Sequence, residues 1–283
     1  MDFEKWQALG NDYLIVERDS LRFELTAPRI QRICTAHTGV AADGILLLSP
    51  SSEPGFVASL RIFNPDGSEA ELSGNGAREA ILYLHRRGWS DASSFSVQTQ
   101  AGEVRGTITS STTCTLDMGR ARLQSPDYPG GDRSGAGELS AGERSWRFQH
   151  VQVGNPQCAI RVRDEAELAG LDLGRVGPPI ERHELFPNRT NVSWYVPVAP
   201  DRIRARIFER GVGETSASGT GATGAAVAYV LAGGESPVTV LLDGGELEVE
   251  VGEDLHIDLS GWALPVFSGR LTEDLVEELS ALE

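Results

Sequence analysis

The sequence predicts an α+β protein made of two pseudo-twofold-related α/β lobes, each a sheet wrapped around a central helix. The first observation is an internal repeat: of the seventeen positions in 61–77, eight are identical in 206–222 at a constant offset of 145 residues. The second is that strand-like and helical segments follow the same order in both halves. A repeat this long indicates two related lobes, because solenoid repeats have periods of about 20–50 residues. Two like lobes would present like groups to opposite sides of one ligand, which suits inversion at a tetrahedral carbon.

In the first half, alternating apolar residues predict strands and helical spacing predicts two helices. The predicted strands are 3–17 (two strands around a Gly-Asn-Asp turn), 44–48, 58–63, and a hairpin over 95–99 and 103–109. The predicted helices are 26–35, with Thr26 as its N-cap, and 77–86.

The second half repeats this plan and ends in an amphipathic helix. The predicted elements are strands near 148–162, 191–198, 202–208, 237–241, 246–251 and 254–259, a turn near 166–174, and helices at 222–232 and 271–282. Residues 119–147 are rich in Gly, Ser, Asp and Pro and favour a long surface connection. We therefore expect an N-terminal lobe at 1–118, a C-terminal lobe at 119–262, and a C-terminal helix in 263–283 that packs back on the N-terminal lobe.

Composition excludes several classes of function. The 283 residues carry a formal net charge of −16, which disfavours nucleic-acid and anionic-membrane partners. The chain has neither an apolar signal core at its start nor an apolar run of about 18 residues, so we expect a cytoplasmic protein. Its three cysteines and five histidines show no metal-ligand spacing, and we predict no metal site.

Lysine usage bears on the cofactor. Lys5 is the single lysine, against twenty-four arginines. Pyridoxal phosphate enzymes need a lysine for the Schiff base, and Lys5 lies in a strand-like segment. Any amino-acid chemistry is therefore expected to need no cofactor.

Each repeat ends in Ser-Gly-x-Gly-Ala and continues directly into a helix. Glycines let the backbone approach a ligand, and the free N–H groups and helix dipole favour an anion such as a carboxylate. Ser73 and Ser218 stand at the start of these helices, where the same field would help to ionise a reactive side chain. A hydroxyl ionises far less readily there than a thiol.

Two familiar motifs are disfavoured at these turns. Residues 219–224 formally match G-x-G-x-x-G, but no strand immediately precedes them and too little chain follows for a dinucleotide-binding unit. The G-x-S-x-G pattern of serine hydrolases is absent around both serines.

Seven segments, in order, resemble the motifs of the diaminopimelate epimerase family. They are Gly10-Asn11-Asp12, Gly39-Val40-Ala41-Ala42-Asp43-Gly44, Phe63-Asn64-Pro65-Asp66-Gly67-Ser68-Glu69, Gly74-Asn75-Gly76-Ala77-Arg78, Gly154-Asn155-Pro156, Arg189-Thr190-Asn191-Val192 and Glu209-Arg210-Gly211-Val212-Gly213-Glu214-Thr215. The resemblance implies two α/β lobes that close over a small zwitterionic amino acid. It also implies one cysteine from each lobe, removing and returning the α-proton on opposite faces.

The resemblance further implies a set of substrate-binding residues. Side chains expected to line the pocket are those of Asn11, Asn64, Asn155, Asn191, Glu209 and Arg210, and backbone N–H groups expected to hold the α-carboxylate are those of Gly74, Asn75, Gly219 and Thr220. Arg210 suits the distant carboxylate of diaminopimelate, because a planar guanidinium binds a carboxylate bidentately.

The departures from the family pattern fall on the proton-transfer groups. Ser73 and Ser218 stand where the family has its two cysteines, and Gln157 stands where the family usually has histidine. Serine is a poor base unless another group takes its proton, and Glu209 is the nearest candidate for that relay, with Glu69 and Glu214 behind it.

Three hypotheses follow. The first is a cofactor-independent epimerase interconverting LL- and meso-diaminopimelate, in which serine, natural or introduced, replaces each cysteine and Ser73, Ser218 and Glu209 are catalytic. The second is an isomerase of another substrate on the same fold, with glutamate as its base. The third is an amino-acid-binding protein without turnover. The sequence favours the first and is compatible with a homodimer.

Overall fold

The computed structural model describes residues 1–142 and 144–282. The strands are β1 (Asp2–Ala8), β2 (Asn11–Glu17), β3 (Ile45–Pro50), β4 (Phe56–Phe63), β5 (Glu69–Ala70), β6 (Ser94–Thr99), β7 (Gly102–Ile108), β8 (Thr113–Arg120), β9 (Ala136–Ala141), β10 (Arg144–Val153), β11 (Asn155–Arg161), β12 (Asn191–Ala199), β13 (Arg202–Glu209), β14 (Gly213–Thr215), β15 (Val238–Leu242), β16 (Gly245–Val251), β17 (His256–Trp262) and β18 (Leu264–Arg270). The α-helices are α1 (Ala27–Cys34), α2 (Gly74–Arg86), α3 (Glu165–Gly170), α4 (Leu173–Glu181), α5 (Gly219–Leu231) and α6 (Glu273–Ala281).

The chain forms two compact units. Unit one comprises Met1–Leu116 and Gly261–Glu283, and unit two comprises Asp117–Ser260. The predicted α+β class is confirmed, because each unit is a mixed sheet with a buried helix against it. Among the described residues, no helix is both long and apolar enough to cross a bilayer.

Unit one is a mixed sheet in the order β18-β1-β2-β3-β4-β6-β7, with the short β5 also paired to β4. The pairs β2–β3 and β4–β6 are parallel, and the others are antiparallel. Helix α2 is the central element, since it is buried continuously from Asn75 to Leu84 and packs against β1 and β7. Every residue of that stretch faces protein, as expected for a helix enclosed by its sheet.

Unit two repeats this strand order and has one additional strand, β17, at the end of its sheet. Its sheet runs β9-β10-β11-β12-β13-β15-β16-β17, with β14 paired to β13, and β11–β12 and β13–β15 are its parallel pairs. Helix α5 occupies the place of α2, has the same 13-residue length, and is buried from Gly221 to Tyr229. The repeat read from the sequence is therefore a repeat of the fold.

Several segments differ from the sequence predictions. The turn expected near 166–174 is wrong, since α3 and α4 lie there, each begun by an aspartate whose side chain accepts a backbone hydrogen bond. Their glycines and the Pro178-Pro179 pair conceal the helical pattern. The connection expected at 119–147 contains β9 and the first residues of β10.

The C-terminal segment also differs in part. The expected helix in 263–283 is preceded by β18, which pairs antiparallel with β1. Helix α6 then packs into the core of unit one through Val276 and Leu279, and Arg32 binds Glu278 with 2.6 Å between Nε and Oε1.

Unit two contains a half-buried, ion-paired carboxylate in α3. The Glu167 side chain is 7 % exposed and is paired with Arg144 and Arg163. The backbone N–H of Arg163, followed by the two guanidinium groups, lowers the pKa of Glu167 from 4.5 to about 2 against the opposing effect of burial. A carboxyl group with a lowered folded-state pKa stabilises the protein above its unfolded pKa and loses that effect as the pH falls.

We therefore expect Glu167→Gln to lower the free energy of unfolding at pH 7 and to do so less at pH 3. Urea unfolding at the two pH values measures the difference. Equal destabilisation at both would contradict the assigned cause, since an uncharged packing defect does not titrate.

Candidate active site

Both central helices begin immediately after a serine. Ser73 is the N-cap of α2 and its Oγ accepts the Gly76 N–H at 3.1 Å, while Ser218 is the N-cap of α5 and its Oγ accepts the Gly221 N–H at 3.2 Å. Serine is a preferred N-cap because its oxygen satisfies a backbone donor that the helix leaves unpaired. The sequence thus places a hydroxyl at the positive end of each helix dipole.

The backbone groups predicted to hold a carboxylate lie at the same helix ends. The first intrahelical bonds are donated by the Ala77 N–H to Ser73 and by the Ala222 N–H to Ser218. Gly74 and Asn75, like Gly219 and Thr220, precede these bonds. Their N–H groups are at the positions where an α-helix has donors available to an anion.

The Ser73 site, meaning Ser73 and the side chains around it in unit one, contains a chain of polar groups. The Tyr13 hydroxyl donates to Ser73 Oγ at 3.3 Å. Asn75 Nδ2 donates to Asn11 Oδ1 at 3.3 Å, and Asn11 Nδ2 donates to Asp43 Oδ2 at 2.9 Å. The amides of two predicted binding residues are therefore oriented by neighbours within unit one.

Arg78 continues this chain into the protein interior. It is fully buried and donates through Nη2 to Asn75 Oδ1. Burial lowers the pKa of Arg78 to about 10, and burial raises the pKa of the adjacent, equally buried Glu79 well above its usual value. A buried guanidinium bonded to the Asn75 oxygen leaves the Asn75 amide nitrogen to face Asn11.

Asn64, also predicted to bind substrate, has a local partner. Its Nδ2 donates to Ser68 Oγ at 2.9 Å, and its backbone N–H bonds to the Ser68 carbonyl at 2.8 Å. This side chain therefore holds the turn between β4 and β5.

The Ser218 site, in unit two, has a carboxylate next to its serine. Burial raises the pKa of the Glu209 carboxyl, and the nearby hydroxyls of Ser218 and Thr215 act in the opposite direction. The Thr215 bond measures 3.2 Å from Oγ1 to Oε1. A hydroxyl that donates to a carboxylate has an acceptor for its own proton, which is how serine becomes a usable base.

The amides of the Ser218 site are also fixed by neighbours. The buried Asn191 accepts the Arg210 N–H at its Oδ1 at 2.8 Å, and Gln157 Nε2 donates to Asn155 Oδ1. The Gln157 side chain is fully buried beneath α5, where a Cβ on Gly224 would lie 2.7 Å from the Gln157 Cβ. The guanidinium of Arg210 is exposed and donates through Nη1 to the Asn188 carbonyl at 2.9 Å.

The two serine sites have the same backbone arrangement but different neighbouring side chains. Asn64 occupies the repeat position of Glu209, and Tyr13 occupies that of Gln157. Ser73 therefore receives a hydrogen bond from a phenol, whereas the hydroxyl of Ser218 lies near enough to the Glu209 carboxyl to lower its pKa. The first arrangement stabilises a negative oxygen, and the second favours removal of the serine proton.

The two other glutamates considered for the relay have different partners. Glu69 binds Arg61 and Glu214 binds Arg206, with N–O distances of 2.7 Å and 2.6 Å. Both are ion pairs of the strands that precede the helices. The structure brings Glu209 to a serine and leaves these two in ion pairs.

The three cysteines are poorly suited to act as bases. Cys34, Cys114 and Cys158 are buried, and burial raises the pKa of the first two to about 12 and that of Cys158 well above its usual value. A thiol under these conditions stays protonated at neutral pH.

One group of potential metal ligands lies elsewhere in unit two, although the sequence predicted no metal site. Ligand atoms of Asp117, His256 and Asp258 lie within 4.8 Å of one another, on β8 and β17. His256 Nε2 is 3.2 Å from Asp117 Oδ1, and both side chains are about 40 % exposed. Exposed acidic groups are often arranged this way without a metal.

Comparison with known proteins gives a clear family match. The family model described as diaminopimelate epimerase matches residues 3–124 and 149–260. The chain belongs to the diaminopimelate epimerase family.

Curated relatives named diaminopimelate epimerase align over almost the whole chain. That of Synechococcus elongatus is 38 % identical over 279 residues, covering 96 % of this chain and 98 % of its own. That of Pelotomaculum thermopropionicum is 40 % identical and covers 95 % and 98 %. The resemblance stated from the motifs is thereby confirmed.

Solved structures with low sequence identity share the fold. A phenazine biosynthesis protein of Clostridium difficile has a TM-score of 0.69 at 12 % identity, covering 96 % of this chain and 99 % of its own. A hydroxyproline epimerase of Agrobacterium vitis has a TM-score of 0.65 at 14 % identity, covering 95 % and 91 %. At these identities the likeness establishes the fold alone.

Sequence reasoning did not single out several residues that the structure brings to the serine sites. Tyr13, Asp43 and Thr215 each lie inside or next to a family motif, so position in the motif was the available signal. Their partners are between 6 and 60 residues away in the chain, and such contacts are set by the fold.

Because Ser73 caps α2, we expect Ser73→Ala to lower the free energy of unfolding by about 1 kcal/mol, whereas Ser73→Gly costs only a few tenths. Urea unfolding of the two variants measures this. If alanine were tolerated as well as glycine, the hydrogen bond to Gly76 would not stabilise the helix.

Proposed function

We propose that this protein is a cofactor-independent epimerase that interconverts LL- and meso-diaminopimelate by proton transfer at the α-carbon, with serine in place of both catalytic cysteines. The proposal includes a cytoplasmic location and a role in the biosynthesis of lysine. It is supported by membership of the family and by relatives that are named diaminopimelate epimerase and align over almost the whole chain.

The observation that carries the chemistry is the buried Glu209 carboxyl, whose pKa is raised by burial and lowered in part by the nearby hydroxyls of Ser218 and Thr215. In the proposed reaction, Ser218 removes the α-proton of one configuration while Glu209 accepts the serine proton. Ser73, whose oxygen accepts hydrogen bonds from Tyr13 and Gly76, returns a proton to the opposite face. For the other configuration, the steps run in reverse.

The α-carboxylate of the substrate is proposed to bind the N–H groups that begin α2 and α5. The negative charge that develops on it as the α-proton leaves is stabilised there by the two helix dipoles. Arg210, Asn11, Asn64, Asn155 and Asn191 are the proposed partners of the amino groups and the distant carboxylate. Arg210 suits this role because its guanidinium is exposed and its backbone is fixed by Asn191.

The first test is proton NMR of LL-diaminopimelate with the protein in heavy water. We expect loss of the α-proton signal and appearance of the meso form. Glu209→Gln should slow exchange by about 10² or more, the usual contribution of a general base. Glu214→Gln is the matched control and should retain the wild-type rate, because Glu214 pairs with Arg206 on the strand.

The outcomes of this experiment separate the hypotheses. The wild-type protein could bind diaminopimelate without α-proton exchange, while the Ser73→Cys/Ser218→Cys variant exchanges the proton. That result would indicate an epimerase-type site that lacks its base. Neither binding nor exchange would contradict the proposed substrate.

A second prediction concerns pH. Glu209 must be ionised to accept the serine proton, and burial raises its pKa. We therefore expect the exchange rate to rise with pH over a range above the usual glutamate pKa of about 4.3. The pH profile of the α-proton exchange rate measures this. Glu209→Gln should remove the rise of the rate with pH. A rate independent of Glu209 ionisation would exclude the relay.

A second candidate function follows from the asymmetry between the serine sites. A carboxylate is present at Ser218, while its repeat position in unit one is Asn64. An isomerase that uses Glu209 as its main base would exchange one α-proton without inverting the carbon. Exchange into recovered LL-diaminopimelate without any meso product would favour this alternative.

A further inference from the structure

Glu181 is a buried carboxylate in an unfavourable position. It is the last residue of α4 and is 1 % exposed. The carbonyl end of a helix carries partial negative charge, and an ionised side chain is costly to bury without partners. Its placement therefore requires compensating interactions.

The compensation comes from two later segments of unit two and from Arg182. Oε2 accepts from Arg182 Nε at 3.1 Å, and Oε1 accepts the Gly211 N–H at 3.0 Å. Arg189 Nη1 lies 3.6 Å from Oε1. The backbone carbonyl of Glu181 accepts the Thr190 N–H at 3.1 Å. One residue thus holds both 188–191 and 209–211.

These segments carry the proposed binding residues of the Ser218 site. Asn191 directly follows Thr190, and Arg210 directly precedes Gly211. The two segments are also joined to each other, because the Arg210 N–H bonds to Asn191 Oδ1. Thr190 Oγ1 donates to the Pro156 carbonyl at 3.2 Å, which ties in the segment of Asn155.

At one of these contacts, Arg189, the backbone is not in its preferred conformation. Arg189 has φ of 62°, and Gly211 has φ of 79°. A non-glycine residue with positive φ is uncommon and persists where its surroundings hold it. The carboxylate contacts both residues, so it stabilises the turns that present Asn191 and Arg210.

We propose that Glu181 is a positioning residue: it holds the segments of Asn191 and Arg210 in the conformation that binds the substrate, without itself touching the substrate. This inference rests on the proposed function for the identity of the substrate. It does not rest on that function for the placement of the two segments.

Glu167 provides a matched control for the test. It too is a carboxylate of unit two with two arginine partners and one backbone N–H, although it is only half-buried. Its contacts are with Arg144 and Arg163, which lie outside the segments of the Ser218 site. Glu181→Gln and Glu167→Gln therefore each remove one arginine-paired carboxylate charge from unit two. Only Glu181→Gln is expected to affect the Ser218 site.

The experiment compares both variants by hydrogen–deuterium exchange and by titration calorimetry with meso-diaminopimelate. We expect Glu181→Gln to accelerate amide exchange in 188–192 and 209–214 and to raise the dissociation constant about tenfold or more. Glu167→Gln should leave both at wild-type values. If Glu181→Gln does not fold, Glu181→Asp, which shortens the side chain by one methylene, takes its place.

The readouts distinguish the two proposals. Absence of binding by the wild-type protein would count against the proposed substrate, and amide exchange would then decide the role of Glu181 by itself. Faster exchange confined to the two segments would support positioning. Exchange equal to that of Glu167→Gln in these peptides, or unchanged affinity in a protein that binds, would overturn it.

Discussion

The constraint on which both units depend is the start of a buried helix. A helix leaves its first N–H groups without partners, and these must be satisfied when the helix is enclosed by a sheet. In α2 and α5 a serine oxygen satisfies one of them, and the preceding N–H groups stay at positions where an anion binds. The Ser-Gly-x-Gly-Ala segment at the start of each helix thus has an observed role in helix capping and a proposed role in anion binding. A change at Ser73 or Ser218 is therefore expected to act on stability as well as on the proposed chemistry.

Duplication accounts for the geometry of the serine sites, and single substitutions account for their difference. The two sheets share one strand order, which β17 extends in unit two, and α2 and α5 have equal lengths of 13 residues. At equivalent positions of the repeat the residues differ: Asn64 corresponds to Glu209, and Tyr13 corresponds to Gln157. The environment of each hydroxyl is set by these partners, because hydrogen bonds to the charged form of a group favour ionisation, whereas a neighbouring carboxylate accepts the proton. Two sites of the same ancestry can in this way serve as acid and base.

The sequence predicted the class of fold, the repeat and the positions of most strands, because these leave periodic patterns or duplicated motifs. It did not predict α3 and α4, whose glycines and prolines resemble those of a loop, or β18, which lies where only a helix was expected. The predicted serines do cap their helices, but the roles of the binding residues stay predictions. Partners such as Tyr13 and Glu181 could not be found from spacing, since Tyr13 and Ser73 are 60 residues apart and Glu181 and Gly211 are 30 apart. Such contacts exist only after the sheet has brought distant segments together.

In the proposed reaction, oxygen groups and not thiols transfer the proton. The three thiols are buried and have raised pKa values, so none offers a thiolate near neutral pH. Gln157 bonds to Asn155 and so contributes to orienting the amide of a proposed binding residue. Of the two serines, Ser218 has an adjacent carboxylate, whereas the oxygen of Ser73 receives the Tyr13 hydroxyl. Proton removal is therefore expected to be faster at Ser218. For reversible inversion, the slower removal at Ser73 would then limit the rate in one direction, and the Tyr13 hydroxyl would be the group that sets it.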